Sequence, residues 1–204
     1  MGLEAADRSR GELANADMVF IAGLPGTGKS TFAPYLAKEI GDAHVFDSDV
    51  LFAGVRDSYG KALETNAINE PGWITFVHPA LMNTLTALAA GCIAGGRSVV
   101  VVSPLGRYVG KAGGMEELTA NYAWAKPKVV LAKCDEDVRL HRVSNRGRTM
   151  DGRVHDRRMS PMVPTIPHCV VDLTCPLEEY EQLARVVAMS LVDLPSMHKL
   201  RREV

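Results

Sequence analysis

Five short apolar runs punctuate the chain: Met18 to Ala22, Ala43 to Phe46, Ser98 to Val102, Val129 to Ala132 and Cys169 to Asp172. Each has the length of a strand, and longer amphipathic stretches separate them. This alternation predicts an α/β domain in which a five-stranded parallel sheet is covered by helices on both faces, a three-layer, doubly wound arrangement. Val99 to Val102 is apolar on every side and so predicts a central, fully buried strand. A helix is expected from Thr31 to Ile40, with Pro34 inside it removing one backbone bond and bending the axis. A second helical stretch runs from about Trp73 to Ala94, carries Leu81, Leu85 and Leu88 at helical spacing, and ends at Gly95-Gly96. Pro79 predicts a break in it near His78.

Two segments depart from this rhythm. Ser103 to Gly114 holds Pro104, Gly106, Gly110, Gly113 and Gly114, and reads as a long loop at the carboxyl end of the third strand, the edge where open α/β sheets bind ligands. Asn145 to Pro167 is rich in Arg, Gly and Pro and reads as a cover and return loop, with a lid over about 145–160. The expected organisation is an N-terminal arm over 1–16, a single domain over 17–194 and a C-terminal tail over 195–204.

A chain of 204 residues with 47% hydrophobic content is large enough for one well-buried core. Its net charge of −1 offers no basic field for nucleic acid, so a small molecule or nucleotide is the expected partner. Cys92, Cys134, Cys169 and Cys175 form no C-x-x-C spacing and read as inert thiols in a reducing cytoplasm. No apolar run is expected to approach the roughly 20 residues of a membrane span. Glu4, Asp7, Arg8, Arg10 and Glu12 leave the N-terminal stretch without the apolar core of a signal peptide.

Function enters with Gly23-Leu24-Pro25-Gly26-Thr27-Gly28-Lys29-Ser30-Thr31, which fits G-x-x-x-x-G-K-[ST] and stands between the first strand and the first helix. The glycines let successive N–H groups point into one concavity at a helix start, which makes an anion nest. Gly23, Gly26, Thr27, Gly28, Lys29, Ser30 and Thr31 are therefore the candidate nucleotide-binding residues. Lys29 reaches the β- and γ-phosphates as a point charge, and the Ser30 hydroxyl is placed to ligate Mg²⁺. ATP and Mg²⁺ are the expected cofactors.

Asp47 and Asp49 follow the second strand, whose end should lie near the rim of this loop. Transfer of a phosphoryl group to a hydroxyl needs an acceptor for the proton, and Asp49 fits that place, with Asp47 holding a water of the Mg²⁺ shell. The alternative is that this D-x-D caps the next helix. Further along, Arg139, Arg142 and Arg146 are spaced by three and four residues and share a helical face that is suited to lining a nucleotide. The competing reading is a solvated basic face paired with Glu136 and Asp137. A nucleic-acid groove is disfavoured, because no aromatics alternate with the arginines.

These residues together resemble the small P-loop kinases of the shikimate kinase, gluconate kinase, chloramphenicol phosphotransferase and zeta-toxin type. The resemblance runs from Met18 to about Leu191 and rests on the phosphate loop combined with Val45-Phe46-Asp47-Ser48-Asp49 and Leu140-His141-Arg142-Val143-Ser144-Asn145-Arg146-Gly147-Arg148. It implies a sheet order of 2-3-1-4-5, with Asp49 as the base. It also implies that Arg142 stacks on adenine, that Arg146 or Arg148 acts as a lid arginine on the phosphates, and that Pro176 lies in the loop bordering the other adenine face. The implied activity is ATP-dependent transfer of a phosphoryl group to a hydroxyl of a small metabolite or antibiotic-like molecule. A nucleoside or nucleotide kinase and a non-catalytic ATP-binding module are the alternatives. One departure from the pattern stands at the end of the third strand, where many relatives carry Asp or Glu and this chain has Ser103. Ser103 is accordingly assigned to substrate together with Asp49, Arg56 and Arg107, and Tyr59, Trp73, His78, Asn83 and Tyr108 are further candidates for the acceptor pocket.

Overall fold

The computed structural model describes residues 16–64, 71–125, 127–145 and 162–194. The expected arm up to residue 15, the tail and most of the expected lid, including Arg146 and Arg148, lie outside the described residues. Strands β1 (Met18–Ala22), β2 (His44–Asp47), β3 (Val99–Val102), β4 (Lys128–Lys133) and β5 (Cys169–Asp172) form one parallel sheet in the order β2-β3-β1-β4-β5. The five expected strands are all present, with ends shifted by a residue or two.

Because side chains alternate across a strand, β1 feeds two cores at once. Met18, Phe20 and Ala22 point to one face and Val19 and Ile21 to the other. β3 divides its valines in the same way, Val99 and Val101 against Val100 and Val102, which is why four apolar residues in a row are needed there. On the second face lie α1 (Lys29–Glu39) and α8 (Tyr180–Asp193). They contribute Phe32, Leu36, Ala184 and Leu191. The first face is covered by α4 (His78–Ala94), α5 (Gly106–Val109) and α6 (Gly114–Thr119), through Met82, Leu85, Val109 and Met115. Between β2 and β3 the chain also forms α2 (Ser48–Leu51) and α3 (Ala53–Ala62), and α7 (Glu136–Ser144) follows β4.

Two expectations about the helices need correction. Pro79 does not end the long helix. A π-helical turn, Trp73–Val77, in which the His78 amide donates to the Trp73 carbonyl five residues back, runs directly into α4, so one wide turn accommodates the ring. The uninterrupted stretch Trp73–Ala94 is consequently 22 residues long and contains an 18-residue window with a mean hydropathy of 1.4, long and apolar enough by length and composition to cross a membrane, contrary to the expectation from shorter runs. Its Met82, Leu85, Thr86, Ala89, Ala90 and Ile93 are buried, whereas Ile74, Phe76 and Leu88 are exposed, and a third of the apolar window is buried. The expected loop of Ser103 to Gly114 also holds helical turns α5 and the start of α6, and Thr165 from the return segment donates its amide to the Val109 carbonyl at 3.1 Å.

Leu85 is fully buried beneath the sheet. Leu85→Ala is expected to lower the free energy of unfolding by about 2–5 kcal/mol, read from denaturant titration.

Candidate nucleotide and acceptor site

The phosphate loop leaves β1 and turns into α1 at Lys29. Gly26 and Gly28 sit at φ +87° and +95°, a region that side chains rarely adopt. A Cβ at Gly26 would come within 2.6 Å of Val143 Cγ2 and 2.8 Å of the Arg139 carbonyl, and one at Gly28 within 2.9 Å of the Tyr180 hydroxyl. The loop is thus pressed from outside by α7 and α8. Gly28 is also the N-cap of α1 and has no side chain to satisfy the first amides, so the helix start presents N–H groups and its positive dipole end to the concavity. Lys29 is 7% exposed and donates to the Gly23 and Leu24 carbonyls at 2.8 and 2.9 Å, which holds its ammonium over the loop. Ser30 and Thr31 are exposed. A backbone cradle that cannot admit a Cβ, an uncapped helix start and a buried lysine together suit a polyphosphate.

One small cavity at the carboxyl edge of the sheet is lined by Lys29, Ser30, Asp47, Asp49 and Ser103, five residues that the sequence singled out, together with Pro25, Ser48, Val102 and Pro104. The Gly23 amide donates to the Pro104 carbonyl at 3.3 Å and so ties this rim to the phosphate loop. Asp47 does what the capping alternative anticipated: its Oδ1 accepts the Asp49 amide at 2.8 Å and starts α2. The Asp49 carboxylate projects from that turn and meets the Arg56 guanidinium at 3.5 Å. Ser103 is 2% exposed and donates to the Met82 sulfur at 3.8 Å.

The acceptor candidates divide into two groups. Arg56, with its side chain 18% exposed, stands beside Asp49, and its Nε is buried without a hydrogen-bond partner among the described residues. Tyr59 packs on Trp73 with ring centroids 5.5 Å apart, and Trp73 is only 6% exposed, so it serves chiefly as core. Arg107 makes a contact that the sequence did not indicate. It is an exposed residue on α5 whose Nη1 donates to the Ile74 carbonyl in the π-helical turn, and it therefore braces the start of the long helix. His78 stacks on Tyr108 at 6.4 Å, and Asn83 points outward on α4.

A second cavity, about 400 Å³, opens on the far side of the loop between Gly28, Thr31, His141, Arg142, Asn145, Leu177 and Tyr180. Arg142 reaches back from α7 to donate to the Leu173 carbonyl at 2.9 Å and the Thr27 carbonyl at 3.4 Å. Pro176 is exposed and starts the 3-10 turn Leu177–Glu179 at the mouth. Tyr180 was not singled out in the sequence, where it is one aromatic at the start of an amphipathic helix. Its hydroxyl donates to the Leu173 carbonyl at 3.3 Å, and burial pushes its pKa up against the opposing pull of Arg142. Arg139 corrects the picture of an arginine face lining this space: its side chain is 1% exposed and is held by Glu136 at 2.6 and 2.8 Å, the contact that does most to raise its pKa. Burial also pushes up the thiols of Cys134 and Cys175, which keeps them protonated and fits the inert reading.

With the sheet order and the loop in place, the class is that of the P-loop kinase fold. The family model described as an AAA domain, AAA_33, matches residues 18–164, and the chain belongs to that family. Among solved structures it is similar to an APS kinase from Mycobacterium tuberculosis in complex with AMPPNP and APS, at 18% identity and a TM-score of 0.60, over 88% of this chain and 99% of that one. A gluconokinase from Sinorhizobium meliloti 1021 matches at 15% identity and a TM-score of 0.57, over 93% and 99%. A sugar kinase from Janibacter sp. HTCC2649 matches at 16% and 0.56, over 84% and 94%. No curated protein matches the chain.

Burial, and secondarily the charge of Arg107, lowers the pKa of His78 below its usual 6.5. The unfolded chain then binds the proton more readily than the folded one. The resulting stability contribution is complete above pH 6.5 and declines as the pH falls towards the lowered folded value. Unfolding free energies measured at pH 7.5 and about 5.5 should therefore differ more for the unmodified protein than for His78→Gln; equal differences would show that His78 carries none of this dependence.

Proposed function

We propose that this protein is an ATP-dependent kinase that moves the γ-phosphoryl group to a hydroxyl of a small molecule in the cytoplasm. The observation that carries this reading is the single cavity shared by Lys29, Ser30 and Asp49 at the rim of the phosphate loop. In it, the amides of Gly23 to Thr31 cradle the phosphates and Lys29 balances charge on the transferring group. Arg142 and Pro176 border the base. Arg146 and Arg148 are assigned to the phosphates by the resemblance.

Asp49 takes the proton of the acceptor hydroxyl while that oxygen bonds to the γ-phosphorus and the bond from phosphorus to the bridging oxygen breaks, leaving ADP and a phosphoester. Arg56 orients the Asp49 carboxylate and, with Ser103 and Arg107, borders the acceptor. The Ser30 hydroxyl and, through water, Asp47 would hold Mg²⁺, which would supply charge neutralisation to the phosphates. The capping bond occupies Asp47 Oδ1 and leaves Oδ2 for this task. Arg142 also anchors the loop, so its loss is expected to weaken nucleotide binding by two routes.

A panel of sugars, nucleosides, cyclic acids and antibiotics, followed by ADP release and mass spectrometry of products, tests the reading. Substrate-stimulated ADP release with a singly phosphorylated product is expected, whereas tight ATP binding with no transfer to any compound would point to a non-catalytic module. Lys29→Ala should abolish transfer, and activity equal to the unmodified protein would overturn the assigned role of the loop. Asp49→Asn should lower kcat by about 10²- to 10⁴-fold with ATP affinity largely kept. Full turnover in that variant would instead favour a phosphate acceptor, which has no need of a base.

A further inference from the structure

Arg139 is the most deeply buried charged side chain among the described residues, yet the reading above gives it no task. Its Nε and Nη2 engage both oxygens of Glu136, at 2.6 and 2.8 Å, which fixes the plane of the guanidinium. The remaining arm, Nη1, donates to the carbonyl of Pro25 at 3.1 Å, in the middle of the phosphate loop and 114 residues away in sequence. The loop lies directly on α7 at this point, since a Cβ on Gly26 would strike the Arg139 backbone.

The direction of that bond matters. No peptide bond among the described residues is cis, and in a trans peptide the carbonyl and the N–H point opposite ways. Drawing the Pro25 carbonyl towards α7 therefore aims the Gly26 amide away from α7, to the phosphate side of the loop. The Thr27 carbonyl is held in the same sense by Arg142, which aims the Gly28 amide likewise. Alternate carbonyls are thus tethered outward, and the amides between them face inward.

We propose that Arg139 is a positioning residue for phosphate recognition: buried, touching no nucleotide, and setting the orientation of the Gly26 amide through the Pro25 carbonyl. This assignment rests on the phosphate loop binding a nucleoside polyphosphate. It places the determinant of phosphate affinity partly in α7, the helix that leads into the expected lid segment.

The test compares ligands with and without phosphates. Removing both members of the buried pair, as Glu136→Met with Arg139→Met, avoids stranding a charge and keeps side-chain volume. Binding of ATP, ADP and adenosine is measured by calorimetry or by competition on the unmodified protein and on the double variant. The expected result is a loss of about tenfold or more for ATP and ADP, the scale of one charge-assisted hydrogen bond, with adenosine affinity unchanged. Equal losses for all three ligands, or no loss for any, would overturn the proposal. Should the double variant fail to fold, Arg139→Lys carries the test, because one ammonium cannot serve Glu136 twice and Pro25 as well. An unchanged ratio of ATP to adenosine affinity in that variant overturns the proposal too. If the unmodified protein binds no nucleoside triphosphate, the kinase reading falls and this assignment with it. Normal binding by the unmodified protein with an insensitive variant removes Arg139 alone.

Discussion

Close packing on both outer sides of the phosphate loop is the constraint on which the site depends. Gly26 lies against α7 and Gly28 against α8, each at a separation that excludes a single methyl group and each at a backbone angle that disfavours one. Because α7 follows β4 and α8 follows β5, the loop on β1 takes its final shape only when the sheet has assembled in the observed order. A local motif of nine residues is thus completed by helices more than 100 residues further along the chain.

The two halves of the site differ in how they are supported. On the nucleotide side, Lys29, Arg139, Arg142 and Tyr180 all bind carbonyls of the loop or of the segment after β5, so most of the polar contacts there are between side chain and backbone. Such contacts survive changes in neighbouring side chains. Around Asp49 the support is thinner: its carboxylate has an ion pair to Arg56, and the turn that carries it, α2, is only four residues long.

Much of the fold was legible because each strand announces itself as a compact apolar run, and a doubly wound sheet requires such runs. The phosphate loop was legible for a different reason: its chemistry depends on backbone conformation, and that forces glycines at fixed positions. What stayed hidden has equally physical causes. The interruption at Pro79 reads as an end to the helix, but one wider turn absorbs the ring, and nothing in the local sequence specifies that. Arg139 shares a face with Arg142 by spacing, yet a charge buried by its partner Glu136 and by a distant carbonyl cannot be told from a solvated one without tertiary contacts. Arg107 was likewise read from its glycine-rich loop as facing the acceptor, and its bond to a carbonyl 33 residues away gave no local signal. Tyr180 gave no signal, since its hydroxyl acts on a backbone carbonyl of the loop from Asp172 to Pro176, and no side-chain pattern marks such a contact.

The order of the strands leaves β2 and β5 at the margins of the sheet, and each has only four residues. Val45 and Val170 are half exposed on these outer strands, a composition that in a longer ribbon would invite another chain to extend the hydrogen-bond ladder. Brevity removes the hazard. The same four-residue length that brings Asp47 and Asp49 to the rim of the phosphate loop also leaves little ladder for a stranger's strand to pair with, so one short strand serves both ends.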